Sequence, residues 1–477
     1  MQNPRVAYLS MEVGLNPSIP TYSGGLGILA GDTLKSAADK GLAVVGVTLL
    51  HNNGYFNQHI DGRGNQYESY TPFDPRKGGM EELKERVTVN VQGREVSVRA
   101  WRYDIIGRNG HIVPVYFLDT NGVKDINGVN TNRPWDEDIT SKLYGGDHAY
   151  HRITQEVVLG IGGARMLQRL GYDVETYHMN EGHSAFLTLE LLRQSGYNPD
   201  KVREKCVFTT HTPVPDGHDR FPYDIVRDVI RDLPNNIQEY AGNKDNMLNM
   251  TLFALNLSRF TNAVSQKHAE VTRKMFPGHE IHSITNGVHS YTWTSREMQE
   301  VYDGLVPEWR QDPSNLRKII ESHDAISQIK SAHQTSKARL LDYVRKTAGV
   351  EFDPELLTIG FARRSTEYKR PDLILRDLSE LKRIGKGKIQ LIFAGKAHPK
   401  DEKGRNLVYT INKRIRKLDG DIKAVFLPDY DMALGAWLTS GVGLWLNTPR
   451  RPREASGTSG MKAAHNAIPS FSILVCF

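Results

Sequence analysis

From Leu357 onward, short apolar runs alternate with helical stretches; the runs are "LTIGFARR", "IQLIFAG", "AVFLPDY", "VGLWLN" and "FSILV". Each is of strand length and rich in β-branched and aromatic residues, and the polar stretches between them are long enough for a helix. Parallel strands need long crossover connections, usually helical, so this alternation predicts a parallel sheet covered by helices. The first half repeats the grammar with insertions. "VAYLS", "AVVGVTLL", "TYHMN", "VFTTHT" and "HSITNG" read as strands, with helices near 26–40, 139–170 and 183–194. Between Tyr67 and Asp119 the pattern changes, because "VTVNVQGREVSVRAWRYDI" alternates apolar and polar residues about a Gln-Gly turn, as an antiparallel hairpin does. At 477 residues the chain exceeds one ordinary core. The expected organisation is α/β throughout: an N-terminal domain over 1–300 with a β insertion near 54–120, a helical linker over 301–350, and a C-terminal domain over 351–477.

Composition excludes several function classes. Hydrophobic content of 39%, charged content of 24% and a mean hydropathy of −0.48 describe a soluble globular chain. Its apolar runs fall short of the roughly 20 residues a membrane helix needs. The opening "MQNPRVAYLSMEV" lacks the pattern of a signal peptide, and Cys206 and Cys476 are too few for a disulfide framework, so the expected compartment is the cytoplasm. The net charge is +6 and the isoelectric point about 9.0, yet the basic residues are scattered among 55 acidic ones. That distribution argues against nucleic acid as a partner and suits a small anionic substrate or cofactor. "HTPVPDGHD" matches no standard zinc spacing, so no metal site is expected.

Chemistry concentrates in two glycine loops and one basic cluster. "TYSGGLGILAGDTL" runs Gly24, Gly25 and Gly27 straight into a helix, where backbone N–H groups and the helix terminus favour an anion. A plain strand-to-helix turn gives the same pattern. "EASGTSGMKAA" is again a small-residue loop opening a helix, with Thr458 or Ser459 available as an ordinary cap. Lys462 just beyond it shifts the balance, since a lysine beside a phosphate cradle serves as counter-charge or condenses with a phosphorylated aldehyde such as pyridoxal phosphate. "GFARRSTEYKRPDLIL" follows a strand and sets Arg363, Arg364, Lys369 and Arg370 around Glu367 and Tyr368, either as a phosphate clamp or as a solvated loop. Strand ends in the first half carry Asn180, Glu181 and His183, then His211, then Asn286, His289 and Trp293, groups able to bond sugar hydroxyls or merely to satisfy a core.

Taken in order, "YLSMEVGLNPSIPTYSGGLGILAGDTLK", "YGGDHAYHRITQEVVLGIGG", "HMNEGHSAF", "TTHTPVPDGHDRF", "TNGVHSYTW", "EYKRPDL", "FAGKAHPKD" and "NTPRRPREASGTSGMKAA" resemble the α-glucan (glycogen, starch or maltodextrin) phosphorylases, in their short bacterial and archaeal branch. The resemblance implies two Rossmann-like domains facing across a cleft. It also implies pyridoxal 5′-phosphate bonded to Lys462, and retaining phosphorolysis of terminal α-1,4-linked glucose to glucose 1-phosphate. The coenzyme phosphate then exchanges a proton with substrate phosphate. A retaining glycosidase would instead need two carboxylates about 5 Å apart, where this chain offers cations and glycines. Motif by motif, the resemblance assigns Arg364 and Lys369 to the phosphate clamp, and Arg363, Thr458, Gly457 and Gly460 to the coenzyme phosphate. Gly25 faces substrate phosphate, and Trp293 lies by the coenzyme. His211 and Asn286 meet glucose hydroxyls with Tyr368 nearby, Glu454 and Ser456 stand at the other edge, and Glu12 and His183 line the cleft wall.

Two departures carry expectations of their own. "VAYLS" follows Met1 almost at once, so neither allosteric nor phosphorylation control is expected. At the other end "HNAIP" stands for the more usual "LNGVP", and "SILVCF" ends the sequence where relatives continue, which predicts an exposed last strand that a homodimer would cover. A truncated phosphorylase that only binds glucan, or a nucleotide-sugar-dependent glucan synthase of similar architecture, is the alternative function.

Overall fold

The computed structural model describes residues 5–145 and 148–474; Val475, Cys476 and the Gly146–Asp147 pair of the "YGGD" motif lie outside the described residues. Two compact units divide the chain. Among the described residues, the first takes 5–56 and Tyr70–Asn286, the second Asn57–Ser69 with 287–474. No described helix is long and apolar enough to cross a membrane.

A nine-stranded sheet builds the first unit. Its order is His282–Ser283, Phe260–Ala263, Cys206–Thr210, Thr176–Asn180, Val6–Ser10, Val44–Leu49, Ile112–Asp119, Arg94–Ile106 and Glu81–Val91. Neighbouring strands are parallel as far as Ile112–Asp119, and the last two add antiparallel pairs. The insertion read from alternation is therefore an extension of the sheet. Gln92 and Gly93, with φ of 53° and 75°, make the turn between its strands, a geometry in which both central residues are left-handed. Beneath the sheet, the helical stretch 149–169 carries one π turn at Val158–Gly162 and presses close to the next helix. A Cβ on Gly160 would stand 2.4 Å from the Leu187 nitrogen.

The second unit holds a five-stranded parallel sheet in the order Ala424–Leu427, Ile389–Ala394, Leu357–Ala362, Leu444–Asn447 and Ser470–Ser472. Residues 301–350, expected as a linker, lie inside this unit, where the helix Ala325–Ala348 packs its Leu340, Leu341 and Val344 into the core with Leu438 and Trp445. The hairpin Asn57–Ile60 and Gln66–Ser69 also belongs here, whereas the expected β insertion near 54–120 assigned these residues to the N-terminal domain. Gln66 exchanges two bonds with the Ala397 backbone (2.7 and 3.1 Å), and Gln58 exchanges two with Asp429 (2.8 and 3.0 Å). At the end of the last described strand, Phe471 and Leu474 are exposed.

Candidate functional site

In the first unit, three neighbouring parallel strands end at one edge of the sheet. Register pairs Ser10 with Asn180 and Asn180 with Thr209, so Glu12, Glu181 and His211 follow from adjacent strand ends, where open α/β sheets bind their ligands. Asn180 is the joint. Its amide donates to Ser10 Oγ (3.0 Å), and its Oδ1 accepts from His211 Nε2 (2.6 Å). Glu181 accepts from His211 N (2.8 Å), Thr212 Oγ1 (3.1 Å) and Gly182 N (3.2 Å), and does so with φ at 70°, a backbone state that is costly for any residue but glycine. Burial pushes the Glu181 carboxyl up to about 7 and the His211 imidazole down to about 3. At neutral pH His211 is therefore uncharged, and with Nε2 donating to Asn180 its other nitrogen is an acceptor. Asn286 bonds through its own N–H to the Val264 carbonyl (3.1 Å). Among the described residues no hydrogen bond joins it to His211.

Glu12 organises the glycine loop. Its Oε2 accepts from Ser23 N (2.5 Å) and Gly24 N (3.2 Å), while Oε1 accepts from the Tyr144 hydroxyl (2.9 Å). The glycines divide by duty. A Cβ on Gly27 would stand 2.7 Å from Glu12 Oε2, and one on Gly31 1.9 Å from the Gly14 carbonyl, so both let the helix Gly25–Asp39 settle on the segment after the first strand. Gly24 and Gly25 have open space where a side chain would be. Any anion-facing role rests with this pair.

Tyr144 links Glu12 to His183 through residues the sequence reading did not single out. The Arg152 guanidinium lies 4.7 Å from the Tyr144 ring centre and pairs with Glu156 (3.2 Å) and Asp219 (2.9 Å); Asp219 in turn meets His183 Nε2 at 3.5 Å. Burial would raise Asp219, but Arg152 and then His183 hold it below the usual carboxylate range. Glu156 is driven well above that range by burial and by the Asp219 charge, so one of the two carboxyls keeps its proton. Burial, then Arg152, takes His183 down to about 3. The available signal was the Arg152 and Glu156 spacing in "HRITQE", four apart on one helix face.

The second unit gathers its charges at the ends of two adjacent strands. Arg363 follows Leu357–Ala362 and bonds Asn447 at the end of Leu444–Asn447; its Nη2 donates to Glu454 Oε1 (2.9 Å). Lys369 meets both oxygens of Glu454 (3.1 and 2.9 Å) and stands 5.0 Å from the Tyr368 ring centre. Burial alone would raise Glu454, yet Arg363 and Lys369 outweigh it and hold the carboxyl at about 2. Lys369 and Glu454, expected at phosphate and sugar respectively, are thus bonded to each other, while Arg364 is exposed. Gly457 lies against this pair, where a Cβ would come within 2.9 Å of Arg363 Nη2. Ser456 Oγ is buried, with no hydrogen-bond partner among the described residues.

Thr458 precedes the helix Ser459–Ala464 without a side-chain cap, and Ser459 Oγ instead accepts from buried Trp445 Nε1 (3.1 Å). A Cβ on Gly460 would meet Ser470 Oγ at 3.3 Å. Lys462 is buried on this helix with its Nζ over the Trp293 ring. The second unit therefore holds two groups, Arg363, Lys369, Glu454 and Gly457 in one, and Lys462 with Trp293 in the other, joined along the chain by the loop that carries Ser456.

Comparison with known proteins matches residues 219–471 to the carbohydrate phosphorylase family and residues 5–287 to the starch synthase catalytic domain. The chain is 36% identical to the maltodextrin phosphorylase of Thermococcus litoralis and 35% identical to the glycogen phosphorylase of Mycobacterium tuberculosis, each over 98% of this chain and 60% of the relative. It is 32% identical to the glycogen phosphorylase of Aquifex aeolicus, over 73% of that protein. The chain belongs to the carbohydrate phosphorylase family. This phosphorylase-family chain spans about 60% of the length of the first two relatives. The starch synthase match ends at residue 287, and the loop carrying Lys462 falls within the phosphorylase match.

Proposed function

We propose that this chain performs phosphorolysis of the terminal α-1,4-linked glucose of a glucan, releasing glucose 1-phosphate with retained configuration, and that Lys462 holds pyridoxal 5′-phosphate. The observation that carries the reading is a buried lysine next to a small-residue loop in which the Ser456 hydroxyl is buried with no partner among the described residues and Gly457 lies close against the Arg363 guanidinium. A buried hydroxyl lacking a partner fits a ligand with acceptor oxygens, and the residues present suit the coenzyme on that ground. When bound, pyridoxal phosphate supplies a phosphate group able to exchange a proton with inorganic phosphate.

The chain's own groups then have distinct tasks. Thr458 and the Gly457 to Gly460 backbone hold the coenzyme phosphate, with Arg363 beside it. Substrate phosphate competes with Glu454 for Lys369 and is shared with exposed Arg364; the Glu454 carboxylate, released from Lys369, accepts from a glucose hydroxyl. In the first unit His211, kept neutral by burial and oriented by Asn180, offers its other ring nitrogen to a hydroxyl, and Asn286 reads another. An analogue lacking those hydroxyls leaves buried polar groups unpaired, which favours glucose over other hexoses. Gly25 takes developing negative charge, and Glu12 and His183 brace the surrounding wall.

The test combines two measurements on the purified chain. Maltodextrin plus phosphate should yield α-glucose 1-phosphate, and borohydride should fix a pyridoxyl mass on Lys462. Glucan affinity without phosphate-dependent turnover would leave only a binding protein. Transfer from ADP-glucose that survives removal of pyridoxal phosphate would assign a synthase instead. Sedimentation of the same material decides whether it is a homodimer.

A further inference from the structure

Lys462 and Trp293 come from distant parts of the second unit, yet one side chain locks their backbones together. The Asn466 amide donates to the Trp293 carbonyl (2.7 Å) and to the Lys462 carbonyl (2.9 Å), and its Oδ1 accepts from Ser295 N (2.7 Å). Asn466 is fully buried, so water does not compete for these bonds. His465 adds a second tie: Nδ1 donates to the Met461 carbonyl (2.8 Å), Nε2 accepts from Ser290 Oγ (3.0 Å), and its own carbonyl accepts from the Tyr302 hydroxyl (3.0 Å). A six-residue helix such as Ser459–Ala464 has little stability of its own, so these ties decide where Lys462 sits. From that position Nζ lies 3.4 Å from the Trp293 ring centre, with the lysine 8% and the tryptophan 3% exposed. Indole is the best aromatic partner for a cation, and exclusion of water strengthens the attraction.

We infer that Trp293 is the seat of the Lys462 ammonium before any aldehyde binds, and that it sets how fast this amine reacts. The inference rests on the reading that Lys462 takes an aldehyde, and deepens it. In that condensation the amine nitrogen bonds to the carbonyl carbon, a carbon–nitrogen double bond forms, and the carbonyl oxygen leaves as water. The nitrogen attacks only after losing a proton. The ring attracts the ammonium and not the free amine, so proton loss and departure from the ring precede attack. Trp293 is thus a positioning residue, keeping the reactive nitrogen at one fixed point and slowing its reaction in return.

Wild type, Trp293→Phe and Trp293→Leu, each checked by thermal denaturation, are compared by two readouts. Acetylation of Lys462 by acetic anhydride, followed by peptide mass spectrometry, needs no cofactor. Absorbance follows condensation with pyridoxal phosphate. Both rates are expected to rise from wild type through Phe to Leu, by about ten-fold overall. They should also converge at high pH, where the amine is uncharged in every variant. Access alone would keep the rates apart at all pH values, and that result, or an ungraded series, overturns the inference. If the Leu variant does not fold, an unchanged acetylation rate in the Phe variant overturns it as well. A graded acetylation series with no pyridoxal phosphate condensation at Lys462 refutes the cofactor reading and leaves the seat standing.

Discussion

Lys369 donates to both oxygens of Glu454, and Arg363 donates to one of them, so a single carboxylate balances two buried cations. Under the proposed function an incoming phosphate has to take Lys369 away from Glu454, so the energy of that exchange would set phosphate affinity. Lys369→Ala should raise the KM for phosphate by about ten-fold or more, the loss of one charged hydrogen bond, and leave the KM for maltodextrin nearly unchanged. Equal losses in both constants would end the clamp assignment. Ala467 presents a separate problem: with φ at 56° it holds the left-handed conformation that glycine adopts freely, just past the Lys462 helix. It is the alanine of "HNAIP", in place of the family's more usual glycine, and it is exposed. Ala467→Gly should stabilise the protein by about 0.5–1 kcal/mol, seen as a raised melting temperature.

Two elements show how weak local signals become firm in context. The hairpin 57–69 is short and polar, and two-stranded hairpins are marginal alone. Its stability comes from Gln58 and Gln66, whose amides bond the backbone of the second unit at Gly395, Ala397 and Asp429. Gln66→Ala would strand the buried Ala397 amide and carbonyl, at a cost of about 2–4 kcal/mol. Hydrogen exchange over 57–69 should accelerate in this variant more than over the five-stranded sheet; uniform acceleration would mean the hairpin is not a separate element. The Lys462 helix is the second case. Its sequence offers a small-residue loop and a possible cap, but its position depends on Trp445, His465 and Asn466, none of which capping rules point to.

For the whole molecule, the two units differ in their response to acid. Burial lowers His51, His178, His218 and His268 to about 4, and His183 and His211 to about 3, all in the first unit. An unfolded histidine binds its proton near 6.5, so the unfolded state takes up more protons as pH falls below that value and stability drops through the window down to 3 or 4. Raised Glu181 and Glu156 oppose this, since the folded state keeps protons there that the unfolded state releases above about 4.5, but they are two groups against six among the described residues. In the second unit burial lowers His333, one such histidine against six, while Glu454 is depressed to about 2, so its contribution persists to about 4.5 and is lost only below. Acidification to pH 5 should therefore release hydrogen-exchange protection in the first unit before the second; the reverse order would refute these assignments.

The parallel alternation, the Gln-Gly hairpin, the strand ends bearing Asn180, Glu181 and His211, and the residues of the Lys462 loop were all legible in the sequence, because strand-length apolar runs and turn residues act locally. Gly24 and Gly25 could be suspected as an open pair, but only packing separated them from Gly27, whose missing side chain makes room for Glu12. Tertiary structure also decided the Glu454 pairing, the Tyr144–Arg152–Asp219 path, the transfer of the hairpin 57–69 to the second unit, and the Trp293 ring over Lys462. Each of these joins residues far apart along the chain. Attraction between such groups becomes strong only after folding has removed water from around them, so no local pattern in the sequence records it.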